Sequence, residues 1–329
     1  MPLTGVLLVG GASRRFGSPK ALARFHGETL AARGRRLLGE VCDEVLVVGK
    51  AGEVPLPFPV LDDGAASRAP VFGLIAALRE ARHDVVVALP VDLPLVTPGA
   101  VCALGEAGAV PSERIPLPGA FPRSLLPLLE DRLARGELSL RGVNPTTLEL
   151  PPGLLVDADT PEELGALERP GHALVVGGTG MLVGLTRALA DRGHAVTSIA
   201  RRPASLGPGV DSLLLDYRDS ENLAAALREA AAERGPIGLA VCWLHTDAPE
   251  APAIVAGVLA PGARLVQVFG TQRWPLGEVP LHIAYREVLL GSIGGRWLSH
   301  EEISAGVLNA VDADLPVWIA GEREEHVSD

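Results

Sequence analysis

The sequence predicts an α/β protein made of two tandem doubly wound (Rossmann-like) domains, each built on a mostly parallel sheet. Short apolar runs alternate with amphipathic stretches of helical spacing, which indicates buried parallel strands covered by helices on both faces. Two of the apolar runs end in a pair of glycines, near residues 10 and 177. Between them, a Pro-Gly pair at residues 170–171 follows a helical stretch and predicts a domain boundary.

Length and composition set the broad class of the protein. The 329 residues exceed the usual size of a single core, and we predict domains at 1–168 and 171–329. A chain that is 47% hydrophobic and 21% charged is typical of a folded globular protein. The net charge of −11 and the lack of a long basic run argue against general nucleic-acid binding. We expect a cytoplasmic protein with no membrane span, and homo-oligomerisation is compatible with the sequence.

Cysteine and histidine spacing gives no sign of a disulfide or of a structural zinc site. Cys42, Cys102 and Cys242 are widely separated and stand among apolar neighbours, so we predict reduced core residues. The eight histidines do not recur at zinc-ligand spacing.

The predicted strands and helices follow one another in chain order. The strands are VLLVGG, EVLVVG and DVVVALPVD in the first domain, then HALVVGG, AVTSIA, SLLLD, GLAVCW and RLVQVFG in the second. The helices are TLAARGRRLLGEV, VFGLIAALREA and DTPEELGAL, then LVGLTRALADRG and SENLAAALREAAAERG. The strands are short and apolar, whereas the helices repeat apolar residues every three to four positions.

The loop after the first strand has the composition of a phosphate-binding loop. Gly10 and Gly11 allow a close approach of the backbone, whose amides can point at phosphate oxygens. Arg15 and Lys20 supply the positive charge that a triphosphate needs. The spacing differs both from a Walker A loop and from G-x-G-x-x-G.

The run GGASRRFGSPKA, residues 10–21, resembles the signature loop of the MobA-like nucleotidyltransferases, whose type member is molybdenum cofactor guanylyltransferase. The resemblance extends to about residue 168 and departs from the family at Phe16, where methionine is usual, and at Ala69, where the first glycine of a G-P-L-x-G turn is lost. It implies catalytic roles for Arg15, Lys20 and Asp92. It implies nucleotide contacts by Leu8, Gly10, Gly11, Ser13, Arg15, Lys20 and Asp63.

The resemblance also implies a magnesium ion held by Asp92, which follows a buried strand between two prolines. Nucleotidyl transfer needs alignment of the reactants and stabilisation of charge, with no covalent enzyme group. Asp159 is predicted as a second metal ligand, but it or Thr160 could instead cap the helix that begins at Pro161. We predict that Lys50 lies at the surface.

The activity that the resemblance implies is Mg²⁺-dependent transfer from GTP to a phosphorylated acceptor such as molybdopterin. The pair Gly10-Gly11 resembles the guanylyl-transferring members, whereas DADT at 157–160 resembles the cytidylyl branch, so CTP stays open. One alternative is a cytidylyltransferase, of molybdenum cofactor or a polyol phosphate, coupled to a reductase. Another is a nucleotide-binding scaffold without turnover.

The second junction, ALVVGGTGMLVG at 173–184, resembles the dinucleotide loop of short-chain dehydrogenases, with Val183 at the third glycine position. The resemblance implies an NADP(H) site formed by Gly177, Thr179, Gly180, Met181, Arg201, Arg202, Asp216 and Tyr217. Two arginines after the second strand favour the 2′-phosphate of NADP.

The second domain lacks the residues of ordinary Tyr-Lys hydride transfer. Tyr285 is followed by Leu289 at the fourth position, and no lysine occurs after residue 50. We therefore predict that Tyr285 is a packed aromatic residue. Trp297 and His300 either line a cleft or act as a core residue and a helix cap.

Overall fold

The computed structural model describes residues 1–10, 15–270, 273–274 and 277–322. The chain divides into two compact units, Met1–Arg169 and Pro170–Asp329. Each unit is an α/β structure built around one mostly parallel sheet, and the predicted fold class is confirmed. The predicted nucleotide-binding residues Gly11 and Ser13 lie outside the described residues.

The first unit contains seven strands and five α-helices among its described residues. The strands are β1 Leu3–Leu8, β2 Arg24–Phe25, β3 Glu28–Thr29, β4 Glu44–Gly49, β5 Leu61–Asp62, β6 Val85–Pro90 and β7 Gly119–Pro122. The helices are α1 Leu30–Val41, α2 Pro70–Glu80, α3 Pro98–Ala107, α4 Leu126–Ala134 and α5 Pro161–Glu168.

The sheet of the first unit has the order β5-β4-β1-β6-β7, with only β7 antiparallel. Helices α1 and α3 pack together on one side, and α2 and α4 pack together on the other. One apolar cluster lies under α2 and α4 and includes the fully buried Phe121. Because β1 is central, the loop that follows it opens at the carboxyl edge of the sheet, where open α/β sheets bind ligands.

The second unit contains nine strands and four helices among its described residues. The strands are β8 His172–Val176, β9 Ala195–Ala200, β10 Val210–Leu214, β11 Ile237–Trp243, β12 Leu259–Phe269, β13 Ala284–Leu290, β14 Ser292–Ile293, β15 Arg296–Trp297 and β16 Val317–Ala320. The helices are α6 Val183–Asp191, α7 Ser220–Arg234, α8 Ala251–Gly257 and α9 His300–Ala313.

The seven-stranded sheet of the second unit is entirely parallel and has the order β10-β9-β8-β11-β12-β13-β16. Counted within the unit, this is the 3-2-1-4-5-6 order of a dinucleotide-binding fold with one further strand. Helices α6 and α9 pack on one face, and α7 and α8 on the other, each over its own apolar cluster. Between β12 and β13, the described residues (270, 273–274 and 277–283) contain no helix.

The cysteines are less buried than the sequence predicts. Cys242 is fully buried in the second unit, but Cys42 and Cys102 are only half-buried, so the prediction of three core residues is wrong for two of them. All three are free thiols. Within the described part of the chain, no helix combines the length and apolar character needed to cross a lipid bilayer.

Candidate functional site

In the loop after β1, the cations Arg15 and Lys20 stand before and after the buried Phe16 in the sequence. Arg15 lies in a turn, and Lys20 begins a short 3₁₀ helix. Phe16, which stands where the resembling family usually has methionine, is buried in a small apolar cluster beneath the loop. Burial of this ring anchors the middle of the loop, since exposing it would cost about 2 kcal/mol.

Lys20 is the centre of the charged arrangement in the first unit. Its Nζ donates to Oδ2 of Asp92 at 3.3 Å and to Oδ1 of Asp159 at 2.5 Å. Arg15 pairs with the other oxygen of Asp159. Burial alone would lower the pKa of Lys20, but the hydrogen bonds and charges of the two carboxylates outweigh burial and raise it. Lys20 is therefore a charged ammonium at neutral pH.

The position of Asp92 is fixed by backbone contacts on both sides. The strand β6 ends at Pro90, and the amide of Val91 donates to the carbonyl of Leu8, the last residue of β1, at 3.2 Å. The carbonyl of Asp92 itself accepts from the amide of Ala158 at 3.0 Å. This second bond ties the two carboxylate-bearing loops together, because Ala158 directly precedes Asp159.

The structure separates the two roles that the sequence left open for Asp159 and Thr160. Thr160 caps α5: its side chain accepts from the amide of Glu163, whose own carboxylate accepts from the Thr160 amide. Glu163 also accepts from the amide of Asp159 at 2.7 Å. The side chain of Asp159 is left to face Lys20, and the hydrogen bond from Lys20 holds the pKa of Asp159 below its usual value.

The two carboxylates around Lys20 fit a magnesium ion rather than a structural metal. The described residues contain no group of three or more His, Cys, Asp or Glu that could hold a metal ion. Mg²⁺ prefers hard oxygen ligands and commonly binds through one or two carboxylates plus substrate phosphates and water. Asp92 and Asp159, one-third and one-quarter exposed, have this character.

Lys50 is not at the surface, so that prediction from the sequence is wrong. Its side chain is 11% exposed, and its Nζ lies 2.5 Å from Oδ1 of Asp63, which is 7% exposed. Lys50 also donates to the carbonyl of Ala65. Lys50 follows β4 and Asp63 follows β5. The two side chains meet because these strands are neighbours in the sheet.

Both lysines line one cleft. Its lining combines three cations and one carboxylate with glycine and small apolar residues: Val9, Gly10, Pro19, Lys20, Lys50, Glu53, Val54, Val60 and Arg68. Gly10 lines the cleft shortly after β1, which ends at Leu8. Cations beside small apolar side chains in one cleft suit a nucleoside polyphosphate.

The glycine turn of the second unit leaves little space between backbone and sheet. Gly177 has φ of +88°, and its amide donates to the carbonyl of Ile199 at 2.8 Å. A Cβ on Gly178 would lie 2.5 Å from Oγ of Ser198 and 2.8 Å from Oγ1 of Thr186. Glycine is therefore required at both positions.

The predicted residues Thr179, Gly180 and Met181 continue the turn. The amide of Gly180 donates to the carbonyl of Gly177 at 3.3 Å. The carbonyl of Met181 accepts from the hydroxyl of Ser304 on α9 at 2.7 Å. The turn is thus held against the sheet at its start and against α9 at its end.

The other predicted dinucleotide residues follow β9 and β10 at the same edge of the sheet. Arg201 and Arg202 are exposed directly after β9. Asp216 receives a hydrogen bond from Arg218, which lowers its pKa to about 2. Tyr217 is 8% exposed and packs in the apolar core, so its ring is not presented to solvent.

Tyr285 is a packed residue, as the sequence predicts. It lies on strand β13 against the apolar cluster of one sheet face, and its hydroxyl donates to Glu287 at 3.3 Å. Burial raises its pKa. Trp297 is 46% exposed and is not a core residue, and His300 follows Ser299, which is the residue that caps α9.

The first unit matches a known family along most of its length. The sequence profile described as MobA-like NTP transferase domain matches residues 5–144. A probable molybdenum cofactor guanylyltransferase of Deinococcus radiodurans is 36% identical over 152 residues, covering 43% of this chain and 78% of the relative. The chain belongs to the MobA-like NTP transferase family.

Two further similarities concern a sequence relative and a solved structure. A probable molybdenum cofactor guanylyltransferase of Chloroflexus aggregans is 33% identical over 134 residues, which are 39% of this chain and 64%, less than two thirds, of the relative. A short-chain dehydrogenase from Streptomyces avermitilis is similar in structure at 16% identity, covering 47% of this chain and 89% of that chain with a TM-score of 0.38.

In the MobA-like transferase unit, sequence reasoning missed two contacts besides that of Lys50. Arg33 is buried on α1, where its Nε donates to the carbonyl of Pro94 at 3.1 Å and its guanidinium lies over the Phe25 ring. This contact holds the loop that carries Asp92. Glu163 orients the backbone of Asp159, and the pattern Thr-x-x-Glu at 160–163 was the signal that could have revealed it.

Proposed function

We propose that the first unit transfers a guanylyl group from GTP to a phosphorylated acceptor of the molybdopterin class. The observation that carries the proposal is the contact of Lys20 with both Asp92 and Asp159 at the carboxyl edge of the sheet. Lys20 both lines the cleft and contacts a pair of hard carboxylate ligands. The names of the curated relatives favour guanylyl transfer.

In the proposed reaction, an oxygen of the acceptor phosphate attacks the α-phosphorus of GTP, and pyrophosphate leaves. Lys20 and Arg15 bind the phosphates and offset the negative charge that develops on the leaving group. Asp92 and Asp159 would hold Mg²⁺, which when bound adds positive charge at the phosphate oxygens. The backbone bond between Ala158 and Asp92 keeps the two carboxylates in register.

The test compares variants at the two ends of strand β6. Asp92→Asn removes the negative charge from the proposed metal ligand and should reduce Mg²⁺-dependent guanylyl transfer by about 100-fold or more. Asp84→Asn is the matched control, since Asp84 is exposed before the same strand, at the opposite edge of the sheet. Transfer is measured as pyrophosphate release with molybdopterin and GTP or CTP. Full activity of Asp92→Asn would refute the metal assignment.

The choice of nucleotide also separates the alternatives. Turnover with CTP in place of GTP would assign the unit to the cytidylyl branch. Nucleotide binding without release of pyrophosphate from GTP or CTP, whichever acceptor is supplied, would favour the scaffold.

We further propose that the second unit binds NADP(H) without Tyr-Lys chemistry. The glycine turn at Gly177 and Gly178 follows β8, and Arg201 and Arg202 after the neighbouring strand β9 offer two guanidinium groups to a 2′-phosphate. Because all four tryptophans belong to this unit, NADPH binding can be followed by tryptophan fluorescence of the full chain. Replacing Arg201 and Arg202 by Ala should weaken NADPH binding more than NADH binding. An equal loss for both would contradict the proposal.

A further inference from the structure

Both lysines of the chain line the same cleft. Of 29 lysine and arginine residues, only Lys20 and Lys50 are lysines, and each contributes to the lining of the cleft. The contacts of Lys20 with Asp92 and Asp159 place it at the phosphate end. Lys50 has no role in that arrangement.

Lys50 and Asp63 form a largely desolvated ion pair. Their side chains are 11% and 7% exposed, and Nζ of Lys50 lies 2.5 Å from Oδ1 of Asp63. Removing two charges from water costs several kcal/mol for each ion, and their mutual attraction offsets this cost only with good geometry and further hydrogen bonds. Such a pair is therefore weak evidence for a role in stability.

The donor geometry of Lys50 leaves one proton for a bound molecule. An ammonium group has three N–H donors. Among the described residues, Asp63 Oδ1 and the carbonyl of Ala65 accept two of them. Asp63 is fixed in turn, since its Oδ1 also accepts from the Ala65 amide at 3.0 Å. Because Lys50 lines the cleft, its third N–H is the donor that a molecule bound there would meet.

The strand order shows which part of a nucleotide would reach Lys50. Lys20 meets Asp92 on the β6 side of the central strand β1, whereas Lys50 and Asp63 follow β4 and β5 on the other side. A triphosphate held at Lys20 therefore directs the nucleoside toward Lys50. The walls there are Val54 and Val60, which suit the flat faces of a base.

We propose that Lys50 reads the 6-oxo group of a guanine base, and that this contact selects GTP in the proposed guanylyl transfer, on which the inference rests. Guanine presents an oxygen acceptor at position 6 beside N–H donors, which matches an ammonium donor beside the carboxylate of Asp63. Adenine presents an amino group at position 6 and would place a donor against the ammonium. Lys50 thus accepts 6-oxopurines and rejects adenine.

The test changes one atom of the ligand and one side chain of the protein. 6-Thio-GTP replaces the oxygen at position 6 by sulfur, a weaker acceptor, and keeps both N–H groups. On the full chain with Mg²⁺, it should bind roughly 10-fold or more weakly than GTP, as measured by calorimetry. In Lys50→Met, GTP affinity should fall by roughly 10- to 100-fold, and GTP and 6-thio-GTP should bind equally.

Arg68→Met is the matched control, because Arg68 lines the same cleft but is 41% exposed and pairs with Glu53. It should keep the discrimination between GTP and 6-thio-GTP. Since Lys50→Met leaves Asp63 without its cation, its unfolding midpoint is measured as well. If that variant fails to fold, the comparison of GTP, 6-thio-GTP and ATP on the unaltered protein still decides.

The outcomes distinguish this inference from the proposed function. Equal binding of GTP and 6-thio-GTP by the unaltered protein would overturn the role of Lys50, even where guanylyl transfer proceeds. Unchanged discrimination in a folded Lys50→Met variant would overturn it too. Failure of the unaltered protein to bind any nucleotide would overturn the proposed function and the inference together.

Discussion

Replacing Asp159 by asparagine tests whether this side chain serves the reaction or the helix. The change keeps the size of the side chain and an oxygen that can accept from Lys20, but it removes the negative charge. Thr160→Ala is the counterpart, since Thr160 carries the cap of α5. The two variants alter neighbouring residues of one loop. Asp159→Asn should mainly lower the reaction rate, whereas Thr160→Ala should mainly lower stability.

The expected magnitudes follow from the contacts. Asp159 is one-quarter exposed, and ion pairs of this kind contribute about 0.2 to 1 kcal/mol to stability. Asp159→Asn should therefore lower the free energy of unfolding by less than about 1 kcal/mol. Loss of a charge aimed at the reacting phosphates costs roughly 100- to 1,000-fold in rate. Thr160→Ala should cost about 1 kcal/mol of stability.

The pH dependence of stability gives a second readout for Asp159. Its folded-state pKa is depressed by the Lys20 hydrogen bond, so its contribution is present above the unfolded pKa of about 4 and is lost as pH falls through the lower folded value. Asp159→Asn should make unfolding of the first unit less sensitive to pH below about 4.

The assays are pyrophosphate release and urea unfolding followed by circular dichroism. The exposed Asp157 supplies a control, since Asp157→Asn changes the same charge two residues away. Asp159→Asn with full transfer activity, or Thr160→Ala with the larger loss of rate at equal stability, would refute the assignment of Asp159 to the reaction.

Three further predictions concern single residues elsewhere in the chain. Gly178→Ala places a Cβ 2.5 Å from Oγ of Ser198 and should lower the stability of the second unit by about 1 to 3 kcal/mol; an unchanged tryptophan-detected melting midpoint would contradict this. Burial lowers the pKa of His172, so its stabilising contribution is complete above the unfolded value of about 6.5 and declines as pH falls through the lower folded value. His172→Gln should flatten the decline of second-unit stability between about pH 7 and pH 5, and an unaltered urea profile would argue against it. Burial raises the pKa of Cys242 to about 12, so a thiol reagent at about pH 8 should label Cys242 slowly until the protein is unfolded; rapid labelling of Cys242 in the folded protein would contradict its burial.

The sequence predicts the central strands better than the edge strands. The buried strands β1, β6 and β8 are continuous apolar runs, which stand out from their surroundings. β7 and β16 have only four residues each, too few to show a period. In β13, buried and half-buried residues alternate along AYREVLL, and its charged residues conceal it.

The residues of the candidate site also differ in how well the sequence predicts them. Lys20 and Asp92 are predictable because each directly follows a buried strand or stands in a recognisable loop. Lys50 is not, because its burial depends on Asp63, thirteen residues later, and on the pairing of β4 with β5. The role of Thr160 was predictable in principle, since Glu163 completes a capping pattern within four residues. Contacts within a short segment are readable from sequence, whereas contacts between segments need the fold.

The bond between Ala158 and Asp92 bears on how the protein emerges during synthesis. Lys20 precedes Asp92 by 72 residues and Asp159 by 139 residues. Since domains fold as units and the N-terminal one folds first during synthesis, the first unit can fold once its last residues have left the ribosome. The charged cluster is completed only when the last helix of the first unit appears. A nascent chain interrupted anywhere in the second unit therefore already contains every described residue of the first site.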